Sequence, residues 1–145
     1  MKPLNRLPPW QRRLGLASGL VLLASGAAWL WLHFVVAAEG LPLPGEAWAM
    51  KLHGAAAMLA IFVFGALAGG HLRQGWQITH RHGHGLRRQR RLGVALTTLG
   101  AALAASGYAL YYWVPEGARD AVGWAHAGAG FAMALLVLAH RGRRS

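Results

Sequence analysis

Apolar residues fill four long stretches of this chain, at about 14–38, 47–72, 92–114 and 119–140, broken by short polar or Gly/Pro-rich segments. Each stretch reaches the ~20 residues that a membrane-spanning helix needs. The pattern predicts four such helices and an all-α fold, an integral membrane, up-and-down four-helix bundle forming one domain over residues 1–145. The segment Gly40–Gly45, with Pro42 and Pro44, suits only a reversal, as does Pro115–Asp120. Residues 73–91 form the single sizeable loop, rich in Arg and His, with no regular structure expected. Pro8 and Pro9 oppose helix, so residues 1–13 are expected to be a short basic arm. The apolar run that follows is longer than the 7–15 residues of a signal-peptide core, so a retained helix is expected over residues 14–38.

Small residues recur at helical spacing. Gly15 and Gly19 form a GxxxG pair in the first helix, which permits close helix approach. Gly93, Gly100 and Gly107 repeat every seven residues in the third, holding one face of a left-handed bundle. Arg-Arg-Leu-Gly opens both the first helix (Arg12–Gly15) and the third (Arg90–Gly93), which suggests a duplicated helix pair. Trp29, Trp31 and Phe34 end the first helix, and Tyr108, Tyr111, Tyr112 and Trp113 end the third, as interfacial aromatic belts do.

Charge then sets the orientation. The chain carries 15 Lys and Arg against 4 Asp and Glu, a net charge of +11. Of the basic residues, 13 lie before the first span, between the second and third, or after the fourth. All these fall on one side of a four-span topology, and Glu39, Glu46, Glu116 and Asp120 fall in the two loops on the other. The positive-inside rule therefore places both termini in the cytoplasm. Topology accounts for the basic excess, so no nucleic-acid partner is expected; membrane lipid is. The absence of cysteine excludes disulfides, iron–sulfur clusters, c-type haem attachment and thiol catalysis.

The chemistry that stands out is histidine. His53 and His71 bound one apolar stretch, His126 and His140 another. Eighteen residues are about five α-helical turns, roughly 27 Å, and fourteen are roughly 21 Å. Each pair thus leaves one face of its helix at two depths. Imidazoles inside a bilayer are costly and call for a partner or a metal. With the second and fourth helices parallel and diagonally opposed, His53 and His126 share an outer level and His71 and His140 an inner one. That is a frame for two bis-histidine b haems, with Gly93, Gly100 and Gly107 leaving room beside the flat macrocycles. Arg73 and Arg141 near the inner histidines, and Lys51 and Arg119 near the outer, are candidates for pairing with haem propionates. His33 is a third outer imidazole, suited to a propionate, a quinone, a ligand position taken from His126, or the water interface. The run His80-Arg81-His82-Gly83-His84 reads as a solvated basic loop rather than a metal site, since its arginines repel cations. Nothing resembles a nucleophile–base pair, a phosphate loop or a carboxylate dyad.

Trp48, His53-Gly54, Gly70-His71 and Trp76, with Ser106-Gly107-Tyr108, Tyr111-Tyr112, Trp124, His126 and His140, resemble the small diheme b-type membrane cytochromes of bacteria, the cytochrome b561-like four-helix proteins. The resemblance implies two non-covalent haem b groups with histidine ligands in a multi-pass protein of the bacterial inner membrane. It also implies electron transfer between the quinone pool and a redox partner, as the membrane subunit of an oxidoreductase. Two departures stand beside it: the wide 18-residue separation of His53 and His71, and the nearness of His140 to the C-terminus. The alternative is a small transporter or assembly subunit relaying protons or a metal through histidine. Such relays usually join histidine to carboxylates inside the membrane, and none is expected within a span, Asp120 standing at the very edge of the fourth stretch.

Overall fold

A computed structural model describes residues 8–37, 43–72 and 87–141, with backbone alone at 71–72, 87–90 and 140–141. Among the described residues the chain is helical, without strands, in four pieces. Helix α1 runs Pro9–Trp31 and ends in a π turn at Leu32–Val36; α2 runs Pro44–Leu67 and ends in a second π turn at Ala68–Leu72. Helix α3 spans Arg87–Tyr112 and α4 spans Glu116–Arg141. All four are long and apolar enough to cross a membrane.

The helix starts differ from the hydrophobic pattern for local reasons. Proline at the first position of a helix loses no hydrogen bond, because the N–H it lacks would have had no intrahelical partner. Pro9 takes that place in α1, so the helix begins five residues before its apolar run and includes Trp10, Arg12 and Arg13. Pro44 takes it in α2. Helix α3 begins at Arg87, within the stretch expected to lack regular structure. Arginine and glutamine are good helix formers, so Arg87–Arg91 extend the helix without contributing to its apolar face. Glu46 and Glu116 lie in the first turns of α2 and α4 rather than in loops. Carboxylates there face the positive end of the helix dipole.

Helix contacts divide the chain into two compact units, one made by α1 and α2 and ending at Ala66, the other beginning at Leu67 and containing α3 and α4. In the first, Gly15 meets Val63, Gly26 meets His53, and His33 meets Glu46. Numbers fall along α2 as they rise along α1, so the pair is an antiparallel hairpin. Ala49, Ala56 and Val63, spaced by seven, are its buried apolar residues, with Ser18 and Ser25 (also seven apart) buried on α1. A seven-residue repeat of small side chains keeps two helices in close contact along a left-handed crossing. Gly15 lies 3.4 Å from Val63 Cγ1 by its would-be Cβ, while Gly19 has no described atom within 4 Å. The expected GxxxG pair therefore serves this contact through one glycine only.

The second unit is also a helix pair, α3 against α4, joined by the three residues Trp113–Pro115. The Ala109 carbonyl closes α3 by accepting from both Trp113 N–H (2.8 Å) and Val114 N–H (2.9 Å). No described residue of α3 or α4 is fully buried. Gly93, Gly100 and Gly107 all sit on the half-buried face of α3, and His126 and Met133 on that of α4. On the fourth helix His126, Met133 and His140 share the same seven-residue spacing.

Candidate functional site

Each hairpin brings a serine–glycine pair on its first helix against a histidine on its second. In α1, Ser25 is buried and its hydroxyl lies 2.6 Å from the Val21 carbonyl and 3.3 Å from that of Leu22. The same Oγ is 3.0 Å from His53 Nδ1. In α3, Ser106 Oγ is 3.2 Å from the Leu103 carbonyl and 2.7 Å from His126 Nδ1. A carbonyl can only accept, so each hydroxyl proton goes to the backbone, a common use of serine inside a helix. In that arrangement the oxygen can receive a second hydrogen bond from a ring that carries its proton on Nδ1. The Leu22 carbonyl is a further acceptor beside His53. The neutral ring's lone pair is thereby assigned to Nε2.

The adjoining glycine makes room for the ring. A Cβ at Gly26 would stand 3.4 Å from His53 Cε1, and one at Gly107 would stand 3.4 Å from His126 Cε1. Both sites use the same ring atoms, Nδ1 against serine and Cε1 against glycine. The serine–histidine separations are nevertheless 28 and 20 residues, so the likeness does not follow from equal loop lengths. A hydrogen bond of this kind contributes about 1 kcal/mol, whereas an unpaired buried polar group costs about 1–3 kcal/mol. The serines therefore offset the burial of the histidines rather than adding much stability.

His71 and His140 lie in helical backbone, in the π turn after α2 and near the end of α4. A π turn takes about one residue more than an α turn. The five-turn arithmetic from His53 to His71 thus fails over its last turn, and the phase of His71 on the helix is shifted from that of His53.

His33 has a partner that the sequence reading did not give it. Its Nδ1 is 2.9 Å from Glu46 Oε2, and its ring stacks on Trp29 at 4.6 Å and 11°. Glu46 is itself built in: Oε1 accepts from Leu43 N–H at 3.1 Å, while Glu46 N–H donates to the Leu43 carbonyl at 2.9 Å. This is half of a capping box at the start of α2. The absence of serine or threonine at the cap position removes the usual sequence sign of it. Gly45 allows the corner to close, since a Cβ there would come within 3.0 Å of Leu32 Cδ1. A carboxylate–imidazole pair therefore does exist within a candidate span, contrary to the expectation that all four acids lie in loops.

Of the remaining expected residues, Lys51 Nζ sits 4.8 Å over the Trp48 ring, and Arg119 is exposed on the first turns of α4. Nothing described stands within 4 Å of a Cβ at Gly93. Arg73, Trp76, His80, His82 and His84 lie outside the described residues, as does the side chain of Arg141. Among the described residues no three His, Cys, Asp or Glu side chains converge as a metal cluster. Neither the family models, the curated proteins nor the solved structures compared with this chain give a match.

Proposed function

We propose that this chain is a multi-pass electron-transfer protein of a bacterial inner membrane, with both termini cytoplasmic, binding two b haems through His53, His126, His71 and His140. The observation that supports it is the repeated histidine–serine–carbonyl arrangement in the two hairpins. Metal-bound histidine characteristically donates its other N–H to an acceptor that fixes the ring's tautomer and orientation. Ser25 and Ser106 do that for His53 and His126, directing the Nδ1 proton away from Nε2. The residues fit a haem in a second respect: at Gly26 and Gly107 each ring lies close against its neighbouring helix, with Cε1 3.4 Å from where a Cβ would stand. The assignment of ligands to an outer and an inner level comes from helix arithmetic on the sequence.

Bound haem supplies a one-electron centre. The chain supplies neutral axial donors, an apolar surround and hydrogen bonds that tune the potential. Four long helices and few acids suit a subunit that passes electrons between a membrane quinol or quinone and a redox partner protein. The protein purified in mild detergent should be red, bind two haems per chain, and give the reduced-minus-oxidised spectrum of bis-imidazole haem b. A colourless protein that takes up no added haem overturns the proposal.

The His33–Glu46 pair favours a second reading, a transporter or assembly subunit that relays protons. Glu46 and His53 are seven residues apart on α2, about 10 Å, too far for a direct proton transfer between them. Proton or metal uptake into liposomes holding the haem-free protein would favour this alternative.

A further inference from the structure

We infer that Ser25 and Ser106 are positioning residues that impose the Nδ1–H tautomer on His53 and His126 and thereby set how strongly Nε2 donates to a metal. For its consequence on a haem this rests on the proposed function; for the tautomer it stands on the hydrogen bonds alone.

The argument begins with the hydroxyl. A serine has one proton to give and two lone pairs to receive with. Ser25 gives its proton to the Val21 carbonyl at 2.6 Å, so its approach to His53 Nδ1 at 3.0 Å can only be as acceptor. Ser106 has the same two kinds of neighbour, the Leu103 carbonyl at 3.2 Å and His126 Nδ1 at 2.7 Å, and is assigned the same direction by analogy with Ser25. Serine is held in this role by the helix that carries it, because the carbonyl it donates to belongs to the preceding turn. The hydrogen-bond chain has one direction, from ring to hydroxyl to backbone. Each added bond polarises the next, so the imidazole acquires partial anionic character that an isolated ring lacks. A more anionic ring is a stronger donor through Nε2 and holds oxidised iron better than reduced iron.

Gly26 and Gly107 give each ring its seat beside the serine. With Cε1 seated at 3.4 Å from the would-be Cβ, the ring cannot slide along its neighbour to find another acceptor without losing this seat. The pairing of Ser25 with Gly26 and of Ser106 with Gly107 thus fixes both where the ring lies and which nitrogen carries the proton.

The test uses the full-length protein in detergent micelles, labelled with nitrogen-15 histidine, first without haem. Long-range proton–nitrogen spectra should show His53 and His126 as Nδ1–H tautomers. Ser25→Ala should release His53 alone to the Nε2–H form, Ser106→Ala should release His126 alone, and Ser25→Thr and Ser106→Thr should retain the wild-type signals. In haem-loaded protein each alanine variant should weaken haem binding by about tenfold and raise the midpoint potential of one haem, with threonine restoring both. An Nε2–H signal at both histidines in the wild-type apoprotein overturns the inference, as does an unchanged tautomer in both alanine variants. If the wild type binds no haem, the proposed function falls while the haem-free spectra still decide the tautomer.

Discussion

The two hairpins present the same histidine device in different frames. The α1–α2 pair has a buried seam of Ala49, Ala56, Val63, Ser18 and Ser25, and its corner is tied by Glu46 to both Leu43 and His33. The α3–α4 pair has no fully buried residue among those described, turns in three residues, and ends in exposed aromatics such as Tyr111 and Trp113. Yet Ser106, Gly107 and His126 reproduce the main contacts of Ser25, Gly26 and His53, serine Oγ against Nδ1 and the glycine against Cε1. The device is therefore local: a serine–glycine step on one helix and a histidine on its antiparallel neighbour suffice.

The largest effect should come from removing a ring. On the proposed assignment by level, His53→Ala and His126→Ala should each abolish the same one of two haems, read as a halved haem-to-protein ratio, while His71→Ala and His140→Ala should each abolish the other. Loss of different haems in the first two variants would separate the hairpins into independent sites and break the assignment by level. Next comes the seat of the ring. Gly26→Val and Gly107→Val place branched carbons where Cε1 now lies, and each should lower haem affinity by about 10–100-fold. The fall should be steeper in the first hairpin, whose buried neighbours have less room to shift; titration of the apoprotein with haem measures it.

The two frames also differ in how far the sequence disclosed them. Four helices were legible from hydrophobic run length, and His53 and His126 stood out as imidazoles set among apolar residues. Ser25 and Gly26 were not, because what singles them out is a neighbour 28 positions away. The repeated Ser-Gly dipeptide in the first helix of each pair was the available sign. Glu46 was read as a loop residue since Pro44 before it looks like a breaker, whereas proline at the first helical position is favourable. The π turns at Leu32–Val36 and Ala68–Leu72 have no sequence signature, so arithmetic at 3.6 residues per turn does not include the shift in phase they add before His71.

Smaller effects sharpen the contrast between the hairpins. Glu46→Gln should lower the melting temperature in detergent and speed amide exchange at the start of α2, leaving α3 and α4 untouched and both haems bound. An equal rise in exchange across α4 would show that the corner supports more than its own hairpin. Smallest is Gly45→Ala, where two opposed contributions nearly cancel. Alanine in a helix gains about 0.5–1 kcal/mol over glycine, and crowding Leu32 costs about 1 kcal/mol. A thermal shift within about a degree or two of wild type is expected.

Hydrogen-bonding each imidazole to a hydroxyl rather than a carboxylate has a consequence for how such a protein is made. A neutral histidine bonded to serine needs no counter-ion to enter a bilayer. On the proposed function, the same bonds would hold the ring in its ligating tautomer before any iron arrives. Synthesis and insertion of the apoprotein could then run ahead of the cofactor supply, with haem captured afterwards.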